Sequence, residues 1–119
     1  KKAVEIGCTG IVVSNHGGRQ LDGSRSSFDQ LSEIVDVVGD EIDVIMDSGI
    51  QRGSHVLKAL SLGAKAVGGG RLYLYALAAA GQLGVERALE LMKQEIERDM
   101  RLMGVSSISE LSRNNLRFR

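Results

Sequence analysis

The stretch Ser14-Asn15-His16-Gly17-Gly18-Arg19-Gln20-Leu21-Asp22 puts an imidazole and a guanidinium three residues apart, with two glycines between them. An imidazole takes or gives a proton near neutral pH. A guanidinium is a planar fork of donors that matches a carboxylate or phosphate. The glycines carry no Cβ, so the backbone between the two groups can lie close to a flat ligand. The set suits a small carboxylate bearing an acidic or oxidisable neighbour. The plainer readings are a histidine held by its own loop and an arginine paired with Asp22.

Two further segments suit an anion. In Asp47-Ser48-Gly49-Ile50-Gln51-Arg52-Gly53, two glycines flank Gln51 and Arg52 just before a helical pattern, and Gly68-Gly69-Gly70-Arg71 likewise meets the start of a helix. Free backbone N–H groups, the positive end of a helix dipole and an arginine all favour phosphate there. Tight strand-to-helix turns would use the same glycines. Asp47, at a strand end, either holds a hydroxyl or a loop N–H or caps its own turn.

All three segments need strands that end together. Ile6-Gly7-Cys8-Thr9-Gly10-Ile11-Val12-Val13 repeats in pattern as Leu62-Gly63-Ala64-Lys65-Ala66-Val67-Gly68-Gly69, with a looser copy from Val38 to Met46. Each copy is a helix closed by glycine, a short turn and an apolar strand. Such units in series give parallel strands joined by helical crossovers, an α/β fold. Strands are expected at 10–13, 43–46 and 66–69, and helices at 1–6, 27–38, 54–62, 72–80 and 85–103. The helix over 27–38 repeats Phe28, Leu31, Ile34, Val35 and Val38 on one face, with Ser26 or Ser27 as its cap. The last long helix shows a stripe of Val85, Leu89, Met92, Ile96, Met100 and Met103, read as core. Ser107-Ile108-Ser109-Glu110 has the spacing of a capping box opening one short final helix.

Composition narrows the function. Fifteen basic and fifteen acidic residues cancel, so net charge favours neither nucleic acid nor an anionic membrane. The arginines of residues 113–119 read as a solvated terminus. His55 reads as a surface residue, and no His, Cys and carboxylate cluster has metal-ligand spacing. The single cysteine, Cys8, fits a reducing compartment and reads as a small buried apolar residue. No apolar run approaches the roughly 18 residues of a membrane span. The chain opens without methionine and inside a helical pattern, and at 119 residues it falls short of a complete barrel, pointing to a piece of something longer.

The histidine segment, with Asp47-Ser48-Gly49-Ile50 and Gly70-Arg71, resembles the FMN-dependent 2-hydroxy acid dehydrogenases and oxidases, among them glycolate oxidase, lactate oxidase, mandelate dehydrogenase and the flavin domain of flavocytochrome b2. The similarity runs through essentially all 119 residues. It implies one partial domain over 1–119, formed by the last three βα units of a (β/α)8 TIM barrel plus C-terminal helices. It implies oxidation of a small (S)-2-hydroxy acid to the 2-oxo acid, without a metal. His16 is then the base, and Arg19 binds the substrate carboxylate. Asp47, Ser48, Gly49, Ile50 and Gln51, with Gly70 and Arg71, bind the ribityl chain and phosphate of FMN.

There are departures from the family pattern. Gln51 stands where the family usually has arginine, removing a charge-assisted contact of roughly 1.5–3 kcal/mol, for which Arg52 is a partial substitute. Gly68 and Gly69 are leaner than the usual bulky residues. The family's lysine near the flavin ring and tyrosine near the substrate come from earlier strands, so this chain alone is expected not to turn over substrate. Its open sheet edges and uncovered inner face predict self-association. The full-length protein is expected to be a homo-oligomer, cytoplasmic or peripheral to a membrane. The alternative is a non-catalytic phosphate- or nucleotide-binding barrel fragment, with His16 and Arg19 as loop residues only.

Overall fold

The computed structural model describes residues 1–117. Its centre is a three-stranded parallel sheet in the order β1 (Gly10–Val13), β2 (Asp43–Met46), β3 (Ala66–Val67). The register sets Val13 beside Met46 and Met46 beside Val67. The first two strands have the expected bounds. The third is shorter by two residues, because Gly68 and Gly69 offer no side chains to hold a pleat. Gly68 still donates its N–H to the Met46 carbonyl at 2.9 Å.

The short α1 (Lys2–Glu5) precedes β1, and α2 (Ser27–Val38) crosses from β1 to β2. Ser26 is its cap, accepting the Asp29 N–H at 3.1 Å. A second crossover, α3 (Gly53–Ser61), joins β2 to β3. Successive strand residues face opposite sides of a sheet. Val13, Val44 and Met46 therefore meet Leu31, Val38, Val56, Ala59 and Leu62 in one core, each large side chain contributing roughly 1.5–3 kcal/mol by burial. The other sheet face carries Val12, 60% exposed.

The two helices expected at 72–80 and 85–103 form α4 (Arg71–Met103), broken at Ala80 and Gly81, where Gly81 takes φ 59° and ψ −142°. Helix resumes directly after Gly81, earlier than expected. α4 packs chiefly on α3. Gly53 is the point of closest approach: a Cβ there would lie 2.6 Å from the Glu95 Cβ and 2.7 Å from the Ile96 nitrogen. The expected core stripe is covered only in part. Met92 and Ile96 pack against the core, while Leu89 and Met103 are exposed.

Two more expectations change. Cys8 is exposed, since it sits in the open turn that leads into β1. The final helix is instead two 3₁₀ turns, Ile108–Glu110 and Arg113–Asn115. The Ser107 hydroxyl accepts from the nearby Ser109 N–H, whereas the Ser112 N–H goes to Asn115 Oδ1 at 2.8 Å. Within the arginine-rich tail, Arg113 pairs with Asp36, and residues 118–119 lie outside the described residues.

Candidate functional site

Because the strands are parallel and in register, the segments after Val13, Met46 and Val67 leave the same rim. Ser14 Oγ and Ser48 Oγ are 3.4 Å apart, and a Cβ on Gly68 would lie 3.3 Å from the Asp47 Cβ. His16, Arg19, Asp47, Ser48, Gly49, Ile50, Gln51, Gly70 and Arg71 all line one open cleft of about 690 Å³. The sequence singled out each of these nine residues. Gln20, Leu74 and Tyr75 also line the cleft and were not foreseen.

Hydrogen bonds between the first two loops run in one direction. The Ser48 hydroxyl donates to Asp47 Oδ1 at 3.0 Å. Its single proton is thereby used, so the Ser14 hydroxyl donates to Ser48 Oγ. Ser14 Oγ in turn accepts the His16 N–H at 3.0 Å, and Ser48 Oγ accepts the Gly17 N–H at 3.2 Å. Two backbone donors of the histidine loop are thus relayed through two hydroxyls to one carboxylate, a chain in which each bond polarises the next. Asp47 thus accepts the hydroxyl of its own neighbour within the turn after β2.

His16 (φ 54°) and Ser48 (φ 72°) are the non-glycine residues with positive φ among the described residues. That conformation costs an L residue on the order of 1 kcal/mol or more and collects at functional sites. Gly17 and Gly18 continue the left-handed run, at φ 69° and 77°. Among the described residues Arg19 forms no ion pair with Asp22, and Arg19 is exposed to the cleft.

The third loop brings in the amino end of α4. Its cap is Gly70, which has no side chain to occupy the first N–H groups of the helical segment that precedes the break at Ala80, so those groups are left for a ligand. Cβ atoms on Gly49 and Gly70 would meet nothing within 4 Å. Arg71 donates from Nη2 to the Gly17 carbonyl at 2.7 Å, tying this loop to the histidine loop.

Arg52 does not serve this end of the cleft. Its Nε donates to Glu95 Oε1 at 2.7 Å, and Glu95 Oε2 takes the Gly53 N–H at 2.7 Å. The arginine first, and the backbone N–H second, hold the Glu95 carboxyl down at about 2 against an ordinary 4.5. The amino end of α3 is therefore already capped by a carboxylate, and Arg52 does not substitute for the missing charge at Gln51. Glu95 is a residue the sequence reading missed. Its signal was a carboxylate between Met92 and Ile96, on the inward edge of an apolar stripe.

His55 is also more than a surface residue. Its Nδ1 lies 3.3 Å from the Gln51 nitrogen and 3.1 Å from the Gly49 carbonyl oxygen. The ring serves one of them at a time, accepting from the first or donating to the second, and either bond braces the loop after β2. Among the described residues no group of His, Cys, Asp and Glu could hold a metal ion, and no helix is long and apolar enough to cross a membrane.

Comparison with known proteins gives a consistent pattern. A family model described as FMN-dependent dehydrogenase matches residues 1–118. The chain is 52% identical over 115 residues to the L-lactate dehydrogenase (cytochrome) of Saccharomyces cerevisiae, covering 92% of this chain and 20% of that protein. It is 49% identical over 116 residues to a peroxisomal (S)-2-hydroxyacid oxidase of Arabidopsis thaliana, covering 98% and 32%. Among solved structures, a flavocytochrome b2 variant superposes with a TM-score of 0.90 at 52% identity, covering 95% of this chain and 31% of that one. A soluble mutant of the membrane-associated (S)-mandelate dehydrogenase from Pseudomonas putida gives 0.95 at 42% identity, covering 99% and 33%. The chain thus spans between a fifth and a third of the length of these relatives.

Proposed function

The chain belongs to the FMN-dependent dehydrogenase family, and from that premise we propose that it is the carboxyl-terminal part of an enzyme oxidising a small (S)-2-hydroxy acid to the 2-oxo acid. In this reading residues 1–119 are one partial domain, the last three βα units of a (β/α)8 barrel with the terminal helices. The observation that carries it is a single cleft lined by an imidazole, a guanidinium and two glycine-rich anion loops.

The anion end of the cleft fits the phosphate of FMN. Gly49 and Gly70 leave room for a ligand, α4 presents its positive end, and Arg71 supplies a guanidinium whose Nη2 alone is committed to Gly17. Asp47, Gly49, Ile50 and Gln51 line the adjoining wall, where Asp47 keeps Oδ2 for a ribityl hydroxyl. When bound, FMN supplies a two-electron acceptor. Arg19 grips the substrate carboxylate with its fork and so orients the hydroxyl-bearing carbon. His16 takes one proton from the substrate as base. The left-handed loop carrying His16 is held from both neighbouring loops, so the backbone that bears the imidazole is set before substrate arrives.

The chain is proposed to be inactive by itself and to act within a homo-oligomer of the complete protein, in the cytoplasm or at a membrane surface. The test uses the complete polypeptide. A yellow protein whose flavin absorbance bleaches anaerobically with a short 2-hydroxy acid supports the reading. A colourless protein that binds a mononucleotide and is indifferent to hydroxy acids would replace it with a non-catalytic phosphate-binding role.

A further inference from the structure

Ser48 holds a conformation that glycine would take at no steric cost, and its hydroxyl joins the loop after β2 to the histidine loop. We propose that Ser48 is a positioning residue for His16, fixing the histidine loop through the Gly17 N–H and Ser14 rather than binding ligand. The proposal rests on the reading of His16 as the base.

The donor count supports this role. With the Ser48 proton committed to Asp47, both hydroxyl lone pairs are free to accept, and they take the Gly17 N–H and the Ser14 O–H. Ser14 then accepts the His16 N–H. The Gly17 N–H is shared with Asn15 Oδ1 at 3.0 Å, an acceptor from the same loop. Ser48 is the acceptor it finds outside that loop, 31 residues away in sequence. Three consecutive residues at φ 54°, 69° and 77° stand outside the β ladder and are held by Asn15 within the loop and by contacts from the neighbouring loops. Arg71 holds the Gly17 carbonyl and Ser48 holds its N–H. The backbone beside the imidazole is thereby gripped at both polar groups.

Two substitutions in the complete polypeptide separate strain from hydroxyl. Ser48→Gly relieves the conformation and removes the hydroxyl, whereas Ser48→Ala removes the hydroxyl and keeps the strain. Hydrogen–deuterium exchange of the peptide covering residues 14–18, read by mass spectrometry, is expected to rise roughly tenfold in both variants. For Ser48→Gly, bound flavin and unfolding midpoint should match or exceed the parent. Its kcat should fall roughly 10- to 100-fold, with KM for the hydroxy acid unchanged, as expected of a displaced base.

Parent-like exchange and kcat in Ser48→Gly would overturn the proposal. So would loss of flavin with unchanged exchange, which would make Ser48 a cofactor ligand. If the parent carries no hydroxy acid activity, the role of His16 as base fails instead. The exchange of residues 14–18 then still decides whether Ser48 clamps that loop.

Discussion

Arg71 reaches back from the first turn of α4 and lies over Gly17, donating to its carbonyl at 2.7 Å across 54 residues of sequence. A Cβ on Gly17 would collide with Arg71 Nη2 and lie 3.0 Å from its Cζ, at a φ of 69° that side chains rarely adopt. The left-handed backbone favours glycine after the histidine, and a side chain there would also push aside the flexible end of Arg71. Gly17→Ala in the complete protein should displace that guanidinium and weaken flavin retention at least tenfold, about 1.4 kcal/mol, measured by flavin release on dialysis. Gly23→Ala, where a Cβ would meet nothing within 4 Å, should stay within about 0.5 kcal/mol of the parent.

The Glu95 carboxylate, paired with Arg52 and the Gly53 N–H, makes the α3–α4 contact sensitive to acid. Its folded-state pKa is lowered from 4.5 to about 2. Between those values the unfolded chain binds more protons than the folded one. The stabilisation is therefore complete above pH 4.5 and is lost as pH falls toward 2. Urea midpoints measured across this range should fall more steeply for the parent than for Glu95→Gln. Equal slopes would remove Glu95 from the account.

Packing energy is concentrated where the crossover helices meet the sheet. Leu31 is 0% exposed and Leu102 is 80% exposed. Leu31→Ala should cost roughly 2–5 kcal/mol and Leu102→Ala less than about 0.5 kcal/mol, both read from urea denaturation of the complete protein.

Among the described residues, the sheet face opposite the core leaves Val12 60% exposed and Ala66 exposed in the same row. As a separate piece the 119-residue chain should self-associate through that face, and Val12→Asp should reduce the association. Sedimentation showing a clean monomer of the unsubstituted piece at high concentration would contradict this.

The parts of the fold legible in sequence are those fixed by local signals. β1, β2 and α2 follow from short β-branched runs, helical spacing of Leu31, Ile34, Val35 and Val38, and a serine cap, and all three fall at their expected bounds. The meeting of three loops at one rim was legible too, because parallel strands with helical crossovers end on the same side. The rest depends on contacts that no local pattern carries. Glu95 reaches Arg52 across 43 residues and Ser48 reaches Gly17 across 31. The end of β3 was overrun because a glycine run gives no alternation to count. The exposure of Cys8 was not legible because burial depends on what lies over a turn, which composition does not disclose.

In the proposed reaction, proton removal by His16 takes place in a cleft whose other loops hold the flavin. It is tested most directly by anaerobic stopped-flow of the complete protein carrying His16→Gln, mixed with a short (S)-2-hydroxy acid. The variant should retain its flavin, and its absorbance should no longer bleach on the parent's timescale. Bleaching as fast as the parent's, with flavin bound, would contradict it.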